Sequence, residues 1–213
     1  MSRQDAAGAA FWDERYRQDF TPWDAGGTPA ALLDFLAAEP RPLAVLVPGC
    51  GSAYEVRSFA AAGHRVLAID FSAAAVERAR AALGSDGRLV RVADFFADDL
   101  GAPFDLVYER AFLCALPPML WRRYAARVAE LLAPDGRLAG FFFGDLGPAR
   151  TASHGAFADR RGPPFPLAAG ELDALLGGHF ERVADEAAAD SIPVFAGRER
   201  WQVWQRRKSP PGR

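Results

Sequence analysis

The chain contains few of the residues that build disulfide frameworks and metal sites. Its 213 residues include two cysteines, Cys50 and Cys114, and three histidines that lie far apart. Two cysteines do not make a disulfide framework, and neither has a neighbour at a metal-ligand spacing. The histidines form no H-x-x-x-H pair. We therefore expect no metal site, and we expect the thiols to be reduced.

The sequence also lacks a basic excess and a long apolar run. Its formal net charge is −2, whereas nucleic-acid binders usually carry a basic excess or a basic face. No run reaches the ~18 apolar residues of a membrane span. The first 20 residues carry charges throughout, unlike a signal peptide. These absences predict a soluble cytoplasmic protein that binds neither nucleic acid nor a membrane.

The composition predicts one globular domain. Half of the residues are hydrophobic and 24% are charged, which is typical of a chain with a substantial core. The length suits a single domain over 1–213 better than two domains. The final residues, 207–213, are basic and rich in proline, and we expect a flexible tail there. We expect a monomer, because no coiled-coil pattern or obvious exposed apolar stripe is present.

Short apolar runs alternate with amphipathic segments from about residue 43. The apolar runs predict strands at 43–48, 65–70, 88–94, 104–109, 137–143 and 200–206. The amphipathic segments predict helices at 54–63, 73–83, 117–134 and 167–177. This order predicts an α/β fold with a mostly parallel sheet and helices on both faces. Two strands near the end, separated by a loop, would add an antiparallel hairpin.

Two segments lie outside this alternation. Residues 9–29 include FWDERYRQDFTPWD, with several aromatic side chains in a charged context. Residues 144–166 are rich in glycine and proline. A loop as long as the second segment inside a compact domain is usually functional or disordered.

The turn LVPGCGS places Gly49 and Gly51 after the first strand and before a helix. In open parallel sheets, ligands bind beyond the carboxyl ends of the strands, and glycine lets a ligand approach the backbone closely. Asp70 ends the next strand, where a carboxylate can accept hydrogen bonds from ribose hydroxyls. The alternative role for Asp70 is to cap the following helix in competition with Ser72.

The glycine turn alone fits both NAD and S-adenosylmethionine. A dinucleotide fingerprint needs a third glycine at position 54, where this chain has Tyr54. Asp94 ends the third strand and can accept a hydrogen bond from an adenine amino group, while Phe95 can pack on the adenine. Their alternative roles are a helix cap and a core aromatic. The pattern favours S-adenosylmethionine, with an NAD-linked oxidoreductase or a non-catalytic S-adenosylmethionine-binding module as alternatives.

Seven motifs together resemble the thiopurine S-methyltransferase superfamily, which includes halide and thiol methyltransferases. In chain order they are FW-x-x-x-Y, TPWD, LVPGCGS, AIDFS, ADFF, YERAFLCALPP and GPPF. They extend from about residue 11 to the final strand. The resemblance implies a Rossmann-like class I methyltransferase fold, with a seven-stranded sheet whose last strand is antiparallel. It also implies S-adenosylmethionine as methyl donor, S-adenosylhomocysteine as product and a small-molecule methyl acceptor.

The resemblance also implies roles for individual residues. It places cofactor contacts on Trp12, Tyr16, Trp23, Gly49, Asp70, Asp94, Phe95 and Arg110, to which we add Gly51 and Phe71. Residues 9–29 resemble a lid that folds over the cofactor and shapes the acceptor pocket. We expect Trp23, Pro164 and Phe165 to contact the acceptor. The alternatives are core aromatics in the lid and an ordinary rigid loop at 162–165.

The sequence departs from both branches of the family. Tyr16 stands where the family usually has tryptophan. Asp70 agrees with halide and thiol methyltransferases, whereas Glu109–Arg110 resembles the Asp-Arg pair of thiopurine methyltransferases. The acceptor is therefore not fixed by either branch. A thiol is favoured, with a thiopurine-like heterocycle, a halide, or a selenium or tellurium species as alternatives.

Arg110 is the one residue that we predict to be catalytic. Methyl transfer from a sulfonium is an in-line displacement, so the protein mostly supplies position and dryness. Arg110 would either lower the pKa of an acceptor thiol or bind the methionine carboxylate of the cofactor, and the family match favours the second role. The third alternative is a surface ion pair with Glu109 or Asp105. We expect Arg110→Ala to reduce activity without disturbing the fold.

Overall fold

A seven-stranded sheet organises the computed structural model, which describes residues 6–146, 162–195 and 197–208. The strands are β1 (Ala44–Pro48), β2 (Arg65–Asp70), β3 (Val90–Val92), β4 (Phe104–Arg110), β5 (Leu132–Phe143), β6 (Phe180–Ala187) and β7 (Glu199–Arg206). Their order in the sheet is β3-β2-β1-β4-β5-β7-β6. Strand β7 is antiparallel to both β5 and β6, while the other neighbours pair in parallel. This topology confirms the predicted sheet and its antiparallel last strand.

Helices cover both faces of the sheet, as predicted. They are α1 (Ala9–Arg17), α2 (Ala30–Ala38), α3 (Tyr54–Ala61), α4 (Ala73–Leu83), α5 (Trp121–Leu131) and α6 (Glu171–Leu176). One hydrophobic cluster packs α2, α3 and α4 on the sheet, and a second packs α5 and α6. Side chains alternate between the two faces along each strand, so that Val45 joins the first cluster and Leu46 the second. No helix of the described residues is long and apolar enough to cross a membrane.

Several predicted boundaries were wrong. The helix predicted over 117–134 ends at Leu131, and residues 132–134 already belong to β5. Pro134 lies beyond that end, and proline cannot continue a helix interior. The strand predicted over 88–94 is shortened to β3, because 84–89 form a 3₁₀ turn in which Gly87 packs on the backbone of Arg80. The helix predicted over 167–177 is shortened to α6, and neither α1 nor α2 was predicted.

The register brings the predicted site residues to one edge of the sheet. Pro48 at the end of β1 pairs with Ile69 of β2, and Asp70 pairs with Val92 of β3. The glycine turn and the ends of β2, β3 and β4 therefore meet at the carboxyl edge, where open parallel sheets bind ligands.

Parts of two predicted segments lie outside the described residues. These are 147–161, most of the segment rich in glycine and proline, and 209–213 in the predicted tail. Arg207 belongs to that tail, but its guanidinium donates to the carbonyls of Gly177 and Phe180. The chain is therefore fastened to the body at Arg207.

Candidate active site

A cavity of about 310 Å³ lies at the carboxyl edge of the sheet, within the usual range for small-molecule sites. All ten residues predicted to bind the cofactor line it: Trp12, Tyr16, Trp23, Gly49, Gly51, Asp70, Phe71, Asp94, Phe95 and Arg110. Pro164 also lines the cavity. The structure does not bring Phe165 there. Its ring packs against the core, and its backbone N–H donates to the Cys114 carbonyl at 2.7 Å.

The glycine turn is shaped by side chains packed against it. Gly49 and Gly51 both have positive φ, +59° and +52°, which favours glycine. A Cβ on Gly49 would overlap the Phe112 ring, and one on Gly51 would lie 2.5 Å from the Tyr16 hydroxyl. Both glycines are therefore required by the packing of aromatic residues, in addition to any approach by a ligand.

Asp70 is a buried carboxyl at the end of β2. Its Oδ2 accepts a hydrogen bond from Gly51 N at 3.1 Å, and its Oδ1 accepts one from Ser72 N at 2.9 Å. Burial raises the pKa of Asp70 to about 6, against the lowering effect of these hydrogen bonds. The cap of α4 comes from Ser72 Oγ, which accepts from Ala75 N at 3.1 Å. The capping alternative for Asp70 is therefore wrong, and its carboxyl faces the cavity.

Asp94 and Phe95 each contribute both to the local fold and to the lining of the cavity, two roles that the sequence presented as alternatives. Asp94 is exposed, lines the cavity and accepts a hydrogen bond from Phe96 N at 2.7 Å, so it also shapes the turn after β3. Phe95 is 4% exposed. Its ring lies 5.3 Å from that of Phe112 and 6.0 Å from that of Tyr124. Both residues thus support the local fold and line the cavity.

Three aromatic residues of the predicted lid, residues 9–29, form one cluster that lines the cavity. The rings of Trp12 and Trp23 meet edge to face with centroids 5.3 Å apart, and the Tyr16 ring lies 6.2 Å from Trp23. Trp23 Nε1 donates to the Tyr16 hydroxyl at 3.4 Å. Burial raises the pKa of Tyr16, and the nearby Asp70 adds to the shift, so the phenol stays protonated. The polar tips of Tyr16 and Trp23 meet beside Gly51 of the glycine turn, whereas Trp12 Nε1 donates to the Ala6 carbonyl at 2.8 Å.

Acidic side chains fasten the lid to the body of the protein. Asp24 accepts a hydrogen bond from Ser52 Oγ beside the glycine turn. Asp19 forms an ion pair with Arg78 of α4. These contacts were not predicted, because each partner lies far along the chain and only the fold brings it near.

Arg110 is held by a buried network on the cavity wall. Its side chain is 6% exposed, and its Nε lies 3.3 Å from Oε1 of Glu199. One terminal nitrogen donates to the carbonyl of Asp190 at 3.0 Å, and the guanidinium lies 4.4 Å above the Phe141 ring. Glu199 also accepts from Ile192 N at 2.6 Å. The network therefore ties β4 to β7 and to the loop before β7.

The predicted alternative of a surface ion pair for Arg110 was wrong. Glu109 lies on the other face of β4, where its carboxylate accepts hydrogen bonds from Phe112 N and Leu113 N. Burial raises the pKa of Glu109 to about 7. Asp105 instead accepts from Ala44 N at 2.8 Å. The partner that Arg110 finds, Glu199, is 89 residues away in sequence.

One side of the cavity is an apolar wall that the sequence analysis largely missed. We define this wall as Trp23, Ala111, Cys114, Ile192, Val194 and Phe195, which cluster together and line the cavity. The sequence signal was the short apolar run IPVF in a polar loop. Burial raises the pKa of the Cys114 thiol, so the wall carries no ionised group at neutral pH.

The described residues contain no group of three or more histidine, cysteine, aspartate or glutamate side chains placed to hold a metal ion. The cavity instead presents carboxyl groups, the two guanidinium groups of Arg15 and Arg110, and aromatic faces. Such a set suits an organic ligand with polar and cationic parts.

Comparisons with known proteins agree on one family. The family model for thiopurine S-methyltransferase (TPMT) matches residues 7–207. Thiocyanate methyltransferase 1 of Brassica oleracea is 28% identical over 201 residues, which cover 92% of this chain and 84% of that protein. Thiopurine S-methyltransferase of Stutzerimonas stutzeri (strain A1501) is 31% identical over 147 residues, covering 60% of this chain and 62% of that protein.

Solved structures show the same architecture. The 1,6-didemethyltoxoflavin-N1-methyltransferase of Burkholderia thailandensis superposes with a TM-score of 0.68 at 26% identity, covering 94% of this chain and 87% of its own. That structure contains 1,6-didemethyltoxoflavin and S-adenosylhomocysteine. A TehB-like methyltransferase of Corynebacterium glutamicum superposes with a TM-score of 0.62 at 20% identity, covering 93% of this chain and 100% of its own. The second likeness concerns the fold alone.

Proposed function

Because the chain belongs to the thiopurine S-methyltransferase family, we propose that it transfers the methyl group of S-adenosylmethionine to the sulfur of a small thiol. The enzyme class and the cofactor follow from the family and from the related methyltransferases. The relatives are named for thiocyanate, thiol and thiopurine methylation. A thiopurine-like heterocycle, a halide and a selenium or tellurium species belong to the same class of soft nucleophiles.

The chemistry of the cavity fits this cofactor. Asp70 is a buried carboxyl with a raised pKa, and burial of such a group is costly unless it is hydrogen-bonded. Ribose hydroxyls are donors that suit it, while Asp94 and Phe95 would hold the adenine. The aromatic faces of Trp12 and Trp23 suit a sulfonium cation. When bound, S-adenosylmethionine supplies a methyl group that its sulfonium charge has already activated.

The apolar wall is the observation that carries the proposal of a soft acceptor. A hard nucleophile such as an alcohol needs a general base in hydrogen-bond reach. The wall offers no ionised group, and its one titratable side chain, Cys114, has a raised pKa because it is buried. A thiolate needs no base and becomes more reactive when it loses its hydration shell. The wall therefore favours a thiol acceptor.

We assign Arg110 a role in cofactor binding. Its contacts with Glu199 and Asp190 use two of the five guanidinium N–H groups. The same contacts fix the orientation of the side chain on the cavity wall. A guanidinium fixed in this way suits the carboxylate of the methionyl group. Arg110 would thereby position the reacting sulfonium relative to the acceptor, which is the main task in an in-line displacement.

An acceptor panel with methyl-labelled S-adenosylmethionine tests the proposal. The panel contains thiophenol, bisulfide, a thiopurine, iodide and selenite at equal concentrations. We expect labelled S-methyl products from the thiols, methanethiol in the case of bisulfide, at rates well above those of iodide and selenite, and no label with Asp70→Ala. Label on iodide or selenite, with none on any thiol, would overturn the proposed acceptor.

A further inference from the structure

Glu55 is a further acidic residue that lines the cavity. It stands in the first turn of α3, directly after the glycine turn. The hydroxyl of Tyr108 donates to its Oε1 at 3.4 Å. Tyr108 belongs to β4 and is 1% exposed, so the hydrogen bond joins the Glu55 carboxylate to a buried residue of the sheet.

Glu55 and Arg110 carry opposite charges and line the same cavity, but they do not form an ion pair with each other. Both line the cavity, and the guanidinium lowers the pKa of the Glu55 carboxyl, so their charges interact. Among the described residues, the ion pair of Arg110 is with Glu199, and no ion pair joins it to Glu55. An anion and a cation held apart in this way match the ammonium and the carboxylate of an α-amino acid.

We propose that Glu55 binds the α-ammonium group of the cofactor's methionyl moiety, while Arg110 binds its carboxylate. The proposal rests on the proposed role of Arg110. It does not depend on the identity of the methyl acceptor. A hydrogen bond between two charged groups in a dry site is among the stronger polar contacts in proteins. Glu55 is thus a cofactor-binding residue that the resemblance did not indicate.

The surroundings of Glu55 favour binding of a cationic group. Burial raises the pKa of its carboxyl, the backbone N–H of Glu55, Arg110 and Tyr108 act against this shift, and Asp24 adds to it. Cys50 also lies near, but burial raises the pKa of its thiol, so it is neutral. A bound ammonium would favour the ionised carboxylate. Affinity for ligands with an ammonium should therefore increase as the pH rises through the raised pKa of Glu55.

A purely structural role for Glu55 makes a different prediction. A carboxylate in the first turn of a helix is stabilised by the helix dipole, and the Tyr108 contact alone would keep it in place. In that case Glu55→Gln would change the stability of the protein and would affect all adenosine ligands equally. The decisive readout is therefore the dependence of binding on the ligand's ammonium group.

Four ligands separate the two roles by titration calorimetry. S-adenosylhomocysteine carries both charged groups, its deaminated analogue lacks the ammonium, S-adenosyl-3-thiopropylamine lacks the carboxylate, and 5′-methylthioadenosine lacks both. We expect Glu55→Gln to weaken the two ammonium ligands by about 10- to 100-fold and the other two by less than about twofold. Glu77→Gln, the same change on the exposed face of α4, should leave all four unchanged.

Two outcomes overturn the inference: equal weakening of all four ligands by Glu55→Gln, or no weakening of S-adenosylhomocysteine. If Glu55→Gln does not fold, the same four titrations are made with Glu55→Asp and with the wild-type protein. Equal affinity of the wild-type protein for S-adenosylhomocysteine and for its deaminated analogue would also contradict the inference. These titrations also distinguish a wrong role for Glu55 from a wrong role for Arg110. A wrong role for Arg110 would appear as equal wild-type affinity for S-adenosylhomocysteine and S-adenosyl-3-thiopropylamine, with the effect of Glu55→Gln intact.

Discussion

Asp13 of the lid and Ser72 at the start of α4 are joined by a short hydrogen bond. Ser72 Oγ donates to Asp13 Oδ1 at 2.6 Å, and Asp13 Oδ1 also accepts a hydrogen bond from Ala74 N at 3.1 Å. The first turn of α4 is therefore capped twice, by its own Ser72 and by a carboxylate from another element. Because Ser72 lies two residues after Asp70, the lid is fastened beside the predicted ribose-binding carboxyl.

The first prediction concerns this contact. Asp13→Ala removes a capping interaction worth about 1 kcal/mol. It should weaken S-adenosylhomocysteine binding about fivefold, because the contact no longer holds the predicted lid beside Ser72. Titration calorimetry measures the effect. Asp34→Ala, on the exposed face of α2, is the matched control. Unchanged affinity in Asp13→Ala would show that lid closure does not depend on the contact.

The second prediction concerns Gly51 and Tyr16. Gly51→Ala costs about 1 to 2 kcal/mol for the positive φ, and its Cβ would also meet the Tyr16 hydroxyl at 2.5 Å. We expect Tyr16→Phe to recover part of the loss in the Gly51→Ala background, because it removes that hydroxyl. Thermal unfolding of the two single variants and the double variant measures the coupling. Strictly additive effects would contradict the packing role of Gly51.

The third prediction corrects the expectation that Arg110→Ala leaves the fold intact. Removal of Arg110 leaves Glu199 buried with its charge uncompensated, since its side chain is 1% exposed. Such a loss typically costs about 3 kcal/mol or more. The double variant Arg110→Gln/Glu199→Gln should recover much of this stability in urea unfolding while S-adenosylhomocysteine binding stays weak. Recovery of binding by the double variant would exclude Arg110 from the cofactor site.

The fourth prediction uses the buried carboxyl of Glu109. Its pKa is raised from 4.5 to about 7, first because of burial, so the folded state binds its proton more tightly than the unfolded state. The associated stability is present below pH 4.5 and is lost as the pH rises through about 7. Glu109→Gln keeps the acceptor for Phe112 N and Leu113 N and cannot ionise.

We therefore expect Glu109→Gln to gain stability relative to the wild type between pH 4.5 and 7, by about 3 kcal/mol over the whole interval. Urea unfolding at a series of pH values measures this difference. Glu130→Gln, with a side chain that is 69% exposed, should follow the wild type. A constant difference between Glu109→Gln and the wild type across this range would contradict the raised pKa.

The sheet and most of the cavity could be predicted from the sequence because their signals are local. Apolar runs and helix-forming segments mark the strands and helices, and the ends of parallel strands meet at one edge. The positions of Gly49, Asp70 and Asp94 in the cavity follow directly from this rule. The resemblance then indicated the lid residues, whose aromatic side chains have no periodic pattern.

The remaining features depend on contacts between distant parts of the chain. The pairing of Arg110 with Glu199 exists because β7 inserts beside β5, and the apolar run containing Ile192 becomes a cavity wall for the same reason. Glu55 stands in the first turn of α3, where an acidic residue is common in any helix. Phe165 belongs to a motif of the resemblance, yet its ring packs in the core. No periodic pattern in the sequence predicts where these side chains lie.

Mass spectrometry of the reaction product shows whether the protein transfers a methyl group to a thiol. The purified protein is incubated with S-adenosylmethionine that carries a trideuterated methyl group and with thiophenol, and Asp70→Ala serves as the blank. We predict trideuterated thioanisole together with an equal amount of S-adenosylhomocysteine, and neither product above background in the blank. If the wild-type protein binds the cofactor but forms no thioanisole, the proposed methyl transfer to a thiol is contradicted.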